Sequence, residues 1–250
     1  KAIELLNIAS NKYRMSNRHL DSARCIERII VIKNSLHNDI KDNLDQLFQT
    51  YKYVDDPRKF DVYEQLIGIH LLKGNHRQYN SLLLEVAKSY QKSNELDLAI
   101  ETLNRCSSLH SLILDALVLK AEIAIRKGDH KYAHEMYKEV YTKHSSSRYG
   151  NIINQKYIYK SLLCVIAYDH IMVLNEARNV DEINPTFFTS IDGRFIKDIS
   201  KAYDEYDVES FEALCREKYR IKPLDQEDVT LLIKIKEELV KFSNDEVDLA

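Results

Sequence analysis

Eight short clusters of helix-breaking residues punctuate the first three-fifths of the chain: SN at 16–17, SLHN at 35–38, DDP at 55–57, GN at 74–75, SNE at 93–95, SLHS at 108–111, GD at 128–129 and SSS at 145–147. They recur about every 19 residues, so the unit is one helix and one turn, and a hairpin occupies about 38 residues. Between them the apolar positions keep helical spacing, as in Leu96, Ala99, Ile100 and Leu103, or Leu114, Leu117, Ala121 and Ala124. Such spacing lines one helix face with apolar residues. With only 5 Gly and 3 Pro in 250 residues, there is little material for the many tight turns of a β-protein. Pro57 suits the first turn of a helix, and Gly74 and Gly128 suit C-terminal caps after Lys73 and Lys127.

A hairpin of this size cannot bury its apolar face alone, so successive hairpins must stack. The expected fold is all-α: a tetratricopeptide-like solenoid of antiparallel helical hairpins over 1–150, capped by a C-terminal helical bundle over 151–250. The rhythm becomes irregular from 151. A longer helix is expected over about 154–174, then INPTFF, shorter helices near 193–206 and 208–219, and a final helix starting at KPLD, 222–225. In that last helix Leu232, Ile235, Leu239 and Phe242 share a face, and the pattern gives it little reason to continue past Ser243 and Asn244. Beyond lies an acidic tail in which Asp245, Glu246 and Asp248 surround Val247 and Leu249. A frayed terminus ordinarily has no use for such a leucine.

Charge and cysteine usage narrow the functional classes. A net charge of −3 with 30% charged residues argues against nucleic-acid binding. Cys25, Cys106, Cys164 and Cys215 are scattered without a CxxC pair, as reduced cytosolic thiols are. The longest apolar run, SLLCVIAYDHIMVL at 161–174, is interrupted by Asp169 and His170 and is short for a bilayer. The chain opens at Lys1 inside a helical pattern and without Met, which reads as a fragment lacking its natural start.

No phosphate-binding glycine loop, HExxH, GxSxG or EF-hand loop is present, and no cofactor is expected. His130 and His134 in HKYAH sit at i, i+4, a spacing that can clip a metal, but no third ligand stands nearby in the helix. The plainer reading is two exposed imidazoles at a helix start. Asp204 and Glu205 are adjacent and do not face each other as a catalytic carboxylate pair would. The chain reads as a non-enzyme. Basic residues recur along the solenoid and into the bundle, and acidic ones gather toward the C-terminus, as in a molecule whose two ends meet different partners.

Several stretches carry a resemblance. KYIYKSLLC (156–164), NPTFFTSIDGRFIKDISKAYDEYD (184–207), LDQEDVTLLIKIKEEL (224–239) and the ending DEVDLA resemble segments of the soluble NSF-attachment proteins (SNAPs). ASNKYRMSN (9–17) and AKSYQKSNELDLAIETLN (87–104) are similar to that family's helix-end and hairpin patterns. The resemblance implies an adaptor that binds assembled SNARE four-helix complexes and recruits the AAA+ ATPase NSF to disassemble them after membrane fusion. It implies a cytoplasmic protein, peripheral on the cytosolic face of membranes, whose apolar membrane-touching loop would precede Lys1.

By the same resemblance, Asp169, Asp204, Glu205, Glu246, Asp248 and Leu249 fall at NSF-facing positions, the penultimate leucine being the one needed to stimulate ATP hydrolysis. Lys201 stands where the family has an acid, and Glu227 where it has Trp. On the SNARE-facing side, basic family positions are Asn75, Ser81, Ala116, Gln155 and Ile191 here. Arg77, Lys120, Arg148, Lys156, Lys160 and Arg194 are the basic residues that would compensate. The rival readings are a generic tetratricopeptide-like scaffold for a different protein or peptide, and a metal enzyme built on His130 and His134.

Overall fold

The computed structural model describes residues 1–54, 56–106, 112–144 and 150–247, with backbone alone at 144, 150–153 and 244–247. The chain is all-α and divides into two compact units, Lys1–Leu112 and Ile113–Ala250. The change of rhythm read at 151 falls inside the second.

The first unit contains α1 (Ala2–Met15), α2 (His19–Ser35), α3 (Lys41–Tyr51), α4 (Arg58–Leu72), α5 (His76–Lys92) and α6 (Leu96–Asn104). Each helix packs against the next along the chain, as solenoid hairpins do. Its core is a single cluster, with Ile26 and Ile30 on α2, Leu44, Leu47 and Phe48 on α3, Val62, Leu66 and Ile67 on α4 and Leu82, Leu83 and Val86 on α5.

The turns explain the regular spacing. Asn17, His37, Gly74, Asn94, Gly128 and Tyr206 all have positive φ, between 53° and 80°. At each of them the following amide donates to the carbonyl five residues back: Arg18 to Tyr13, Asn38 to Lys33, Asn75 to His70, Glu95 to Tyr90, Asp129 to Ala124 and Asp207 to Ala202, at 2.9–3.0 Å. This closure uses one left-handed residue to satisfy the last carbonyls of a helix. At five of the six, the residue after it already stands at the start of the next helix, where Asp129 and Asp207 also accept a capping hydrogen bond, so one helix ends and another starts within three residues. Pro57 likewise takes the N-cap position of α4.

The second unit contains α7 (Leu112–Lys127), α8 (His130–His144), α9 (Gly150–Asp169), α10 (Val173–Ile183), α11 (Ile191–Asp204), α12 (Val208–Ile221) and α13 (Gln226–Val247). Helix α9 is its axis, packing against α8, α10, α11 and α13. An unbroken run on α9 from Ile158 to Ala167 is buried, Lys160 and Ser161 included. A helix apolar around its whole circumference belongs in an interior. Asn154–Ile183 is long and apolar enough to cross a membrane by length and composition, yet 61% of its apolar stretch is buried within the protein, and the helix breaks inside it.

Three expectations change. The helix expected over 154–174 ends at Asp169, whose backbone is extended and whose side chain caps a 3-10 turn, His170–Met172, by accepting from the Ile171 amide at 3.2 Å. Helix α13 runs to Val247, past the expected stop at Ser243–Asn244. His130 and His134 are buried rather than exposed. Burial lowers the pKa of both, and His134 Nδ1 lies 2.8 Å from Ser161 Oγ while its Nε2 lies 3.9 Å from the Glu176 carboxylate. Among the described residues no three His, Cys, Asp or Glu side chains converge as metal ligands.

Candidate functional site

Three helix ends meet at one pole of the second unit: the end of α9 with its 3-10 turn, the last turn of α11, and the late turns of α13. His170 and Tyr203 rings stand 4.5 Å apart, and the Phe242 ring lies 6.5 Å from Tyr203 and 6.4 Å from Tyr206. Asp169, His170, Tyr203, Glu238, Lys241 and Phe242 line one shallow cleft there. Leu174, Lys201 and Asp204 border a second cleft with Val173 and Phe188.

This placement brings together residues far apart in sequence. Asp204 and Glu205 are exposed at the end of α11, and Glu205 pairs with Lys201 at 3.7 Å. Both side chains of that pair are mostly exposed, so the pairing holds little energy and leaves Glu205 available. Asp169 is half-buried because it caps its turn. The aromatic seam under Phe242 seats the late turns of α13, the base of the acidic tail, beside these carboxylates. Glu246 lies in α13 at the level of backbone alone, and Asp248 and Leu249 lie outside the described residues.

Exposed apolar side chains at this pole went unread in the sequence: Ile171 is 75% and Leu174 72% exposed. The break at Asp169 is what turns them outward. Apolar periodicity ran them together with the α9 core, and the only local signal was the Asp-His pair.

The basic residues distribute differently. Arg77 is exposed in the first turn of α5, in the first unit. In the second unit Lys156 and Arg194 are exposed and Lys120 is half-buried, while Arg148 lies outside the described residues. Lys160 is a correction. Its side chain is 3% exposed, and its Nζ lies 2.7 Å from Asp225, 3.4 Å from Asp228 and 3.9 Å from Glu227. Burial opposes its charge, but these three carboxylates outweigh burial and raise its pKa. It clamps the start of α13 and is not offered to a partner. Ala116, at one of the positions where a basic residue was expected by resemblance, is fully buried.

A second buried pair holds α11 to α12. Asp192 is bonded by Lys218 and, at 3.1 Å, by Lys222. Burial would raise the Asp192 pKa, but the two ammonium groups lower it on balance.

Residues 1–240 match the profile of the family described as soluble NSF attachment protein, SNAP. Mouse alpha-soluble NSF attachment protein is a relative, 26% identical over 133 residues. That match spans 53% of this chain and 44% of the mouse protein, under half of the relative's length.

Proposed function

The chain belongs to the soluble NSF attachment protein family, and from that premise we propose that it is a non-enzymatic adaptor coupling an NSF-type ATPase to assembled SNARE complexes. The observation that carries this reading is the family match over residues 1–240. The acidic pole of the second unit supports it.

In this reading the solenoid, up to about 150, carries the SNARE-facing side and 151–250 the ATPase-facing side. Asp169, Asp204 and Glu205 steer toward a basic ATPase surface, and the tail with Glu246, Asp248 and Leu249 completes the contact. Burying one leucine on docking adds about 1.5–3 kcal/mol, which is small per copy and effective when several copies act on one bundle. With Lys160 withdrawn, Arg77, Lys120, Arg148, Lys156 and Arg194 remain as the basic residues toward an acidic four-helix bundle. In this reading the adaptor works at the cytosolic face of membranes, in peripheral contact with them.

The deciding experiment measures ATP hydrolysis by NSF on an assembled SNARE bundle, with this chain and with Leu249→Ala. Stimulation by the first and loss of it in the second is the expected result. Stimulation by neither, with no SNARE binding, overturns the reading and leaves a scaffold for another protein or peptide.

A further inference from the structure

The interior of the second unit holds a polar cluster built from three helices. His134 on α8, Ser161 on α9 and Glu176 on α10 are all buried. His134 Nδ1 lies 2.8 Å from Ser161 Oγ, and its Nε2 lies 3.9 Å from the Glu176 carboxylate. That carboxylate is already engaged, because Lys138 Nζ donates to both of its oxygens, at 2.9 and 2.8 Å. A proton on His134 would set two cations beside one buried carboxylate and leave a positive charge out of water.

Helix α10 is the thin side of this arrangement. Its buried residues are Val173, Glu176 and Val180, a single stripe at 3-4 spacing in which Glu176 is the middle peg. It packs on α9 and on the 3-10 turns at His170–Met172 and Phe187–Thr189, and Glu176 ties it to α8. The backbone leaves the helical region on either side of this segment, at Asp169 (φ −163°, ψ 90°) and at Asn184 (φ −142°, ψ 81°). The run on α9 from Ile158 to Ala167, by contrast, is buried without a gap. A short helix with few anchors between two breaks opens at lower cost than the core it covers.

The groups facing His134 fix the direction of the response. They are Glu176 from α10, Tyr168 from α9 with its ring 6.1 Å away, and Lys138 and Glu135 from its own helix; Tyr141 neighbours Ser161 and Glu176. Burial raises both phenols, so they stay protonated. Burial opposes the charge of Glu176, but Lys138 keeps it ionised. For His134, burial lowers the pKa from 6.5, Glu176 opposes this without reversing it, and Lys138 adds to it. The closed state therefore favours neutral His134, and its advantage is complete above about pH 6.5 and lost as pH falls through the lowered value.

We propose that His134, Ser161 and Glu176 form a proton-operated latch: one proton taken up at His134 releases α10 and the 3-10 turn before it, while α8 and α9 stay folded together. The released segment carries Ile171 and Leu174 and adjoins Asp169, so the latch acts on the pole described above. It is independent of the adaptor reading, because its readout is the chain's own exchange.

The test is hydrogen exchange of the full 250-residue chain at pH 7.5, 6.5 and 5.5, corrected for the intrinsic pH dependence of amide exchange. Opening of 170–183 is expected to rise several-fold and at most about tenfold across that range, with 158–167 unchanged. His134→Gln, neutral throughout, removes the rise. Lys138→Gln leaves Glu176 to the imidazolium and shrinks the rise, from a lower starting protection. His170→Gln, at the turn but outside the cluster, keeps it. The proposal falls if 170–183 does not respond to pH, if 158–167 loses protection in step with it, or if His134→Gln responds as the parent does. Thermal melts at pH 7.5 show whether each variant is folded; if His134→Gln is not, the segment specificity in the parent and the Lys138→Gln response decide.

Discussion

Two residues carry more structure than their size suggests. A Cβ on Gly193 would sit 2.2 Å from the Phe187 carbonyl oxygen and 2.6 Å from the Phe188 Cα, both backbone atoms that cannot step aside. Gly193 therefore sets how closely α11 approaches the 3-10 turn at Phe187–Thr189, where the fully buried Phe187 anchors the core. Gly193→Ala is expected to destabilise the second unit by about 2 kcal/mol or more, read as a lower urea midpoint with unchanged slope. Gly128 is the contrasting case: a Cβ meets nothing within 4 Å, but its φ of +80° is one that L side chains rarely adopt. Gly128→Ala is expected to cost about 1 kcal/mol through the backbone alone, measured in the same titration.

Buried histidines make a prediction about acid. His70, His130 and His134 all have pKa values lowered by burial from the ordinary 6.5. Their folded-state values lie below the unfolded one, so the stability they confer is complete above about pH 6.5. It is lost as pH falls from there through the depressed values. Stability by urea titration is expected to decline between pH 7 and pH 5, and His134→Gln, which keeps a hydrogen-bonding side chain beside Ser161, is expected to shrink that decline. An unchanged slope in the variant would place the proton uptake elsewhere.

At the scale of the element, α13 shows how a helix start is fixed. Its start is a reciprocal cap: the Asp228 amide donates to Asp225 Oδ1 at 3.0 Å, and the Asp225 amide to Asp228 Oδ2 at 3.4 Å. Two acids at a helix N-terminus also complement its dipole. Lys160 closes the cluster from α9. Lys160→Met strands buried carboxylates and is expected to destabilise the second unit by about 3–5 kcal/mol, with much of that recovered when Asp225 and Asp228 are also made neutral. A double-mutant cycle in urea measures the recovery.

The elements themselves were largely legible in the sequence, because breakers and apolar spacing report directly on local backbone preference. Helices α11 and α12 fall close to their expected spans, and the left-handed residues coincide with quoted breakers at 17, 37, 74, 94 and 128. What escaped was tertiary. Lys160 looks like any solvated lysine in KYIYKSLLC until α13 is laid against α9, and the two histidines of HKYAH look exposed until the surrounding helices bury them. The break at Asp169 was hidden because the residues after it, Ile171 to Leu174, continue an apolar run. Of the candidate site, the acidic positions came from resemblance to a family, and the aromatic seam of His170, Tyr203 and Phe242 had no local signature.

For the whole molecule, each compact unit has its own buried cluster, one from Ala23 to Val86 and the other from Ala121 to Leu239. A core truncation should therefore be felt by its own unit first. Leu83→Ala and Ile235→Ala, each at a fully buried position, are expected to cost about 2–5 kcal/mol apiece. Hydrogen exchange should show the loss of protection confined to 1–112 for the first and to 113–250 for the second.

The three-residue joints between helices bear on how such a chain tolerates change. A residue inserted within α5 would turn everything after it by about 100° around the helix axis, and the joint at 93–95 has no spare length to turn it back. Side chains on the outer faces are free of that constraint. Helix length is thus a stricter inheritance than helix composition, and a chain built this way can drift far in letters while every later helix keeps its place.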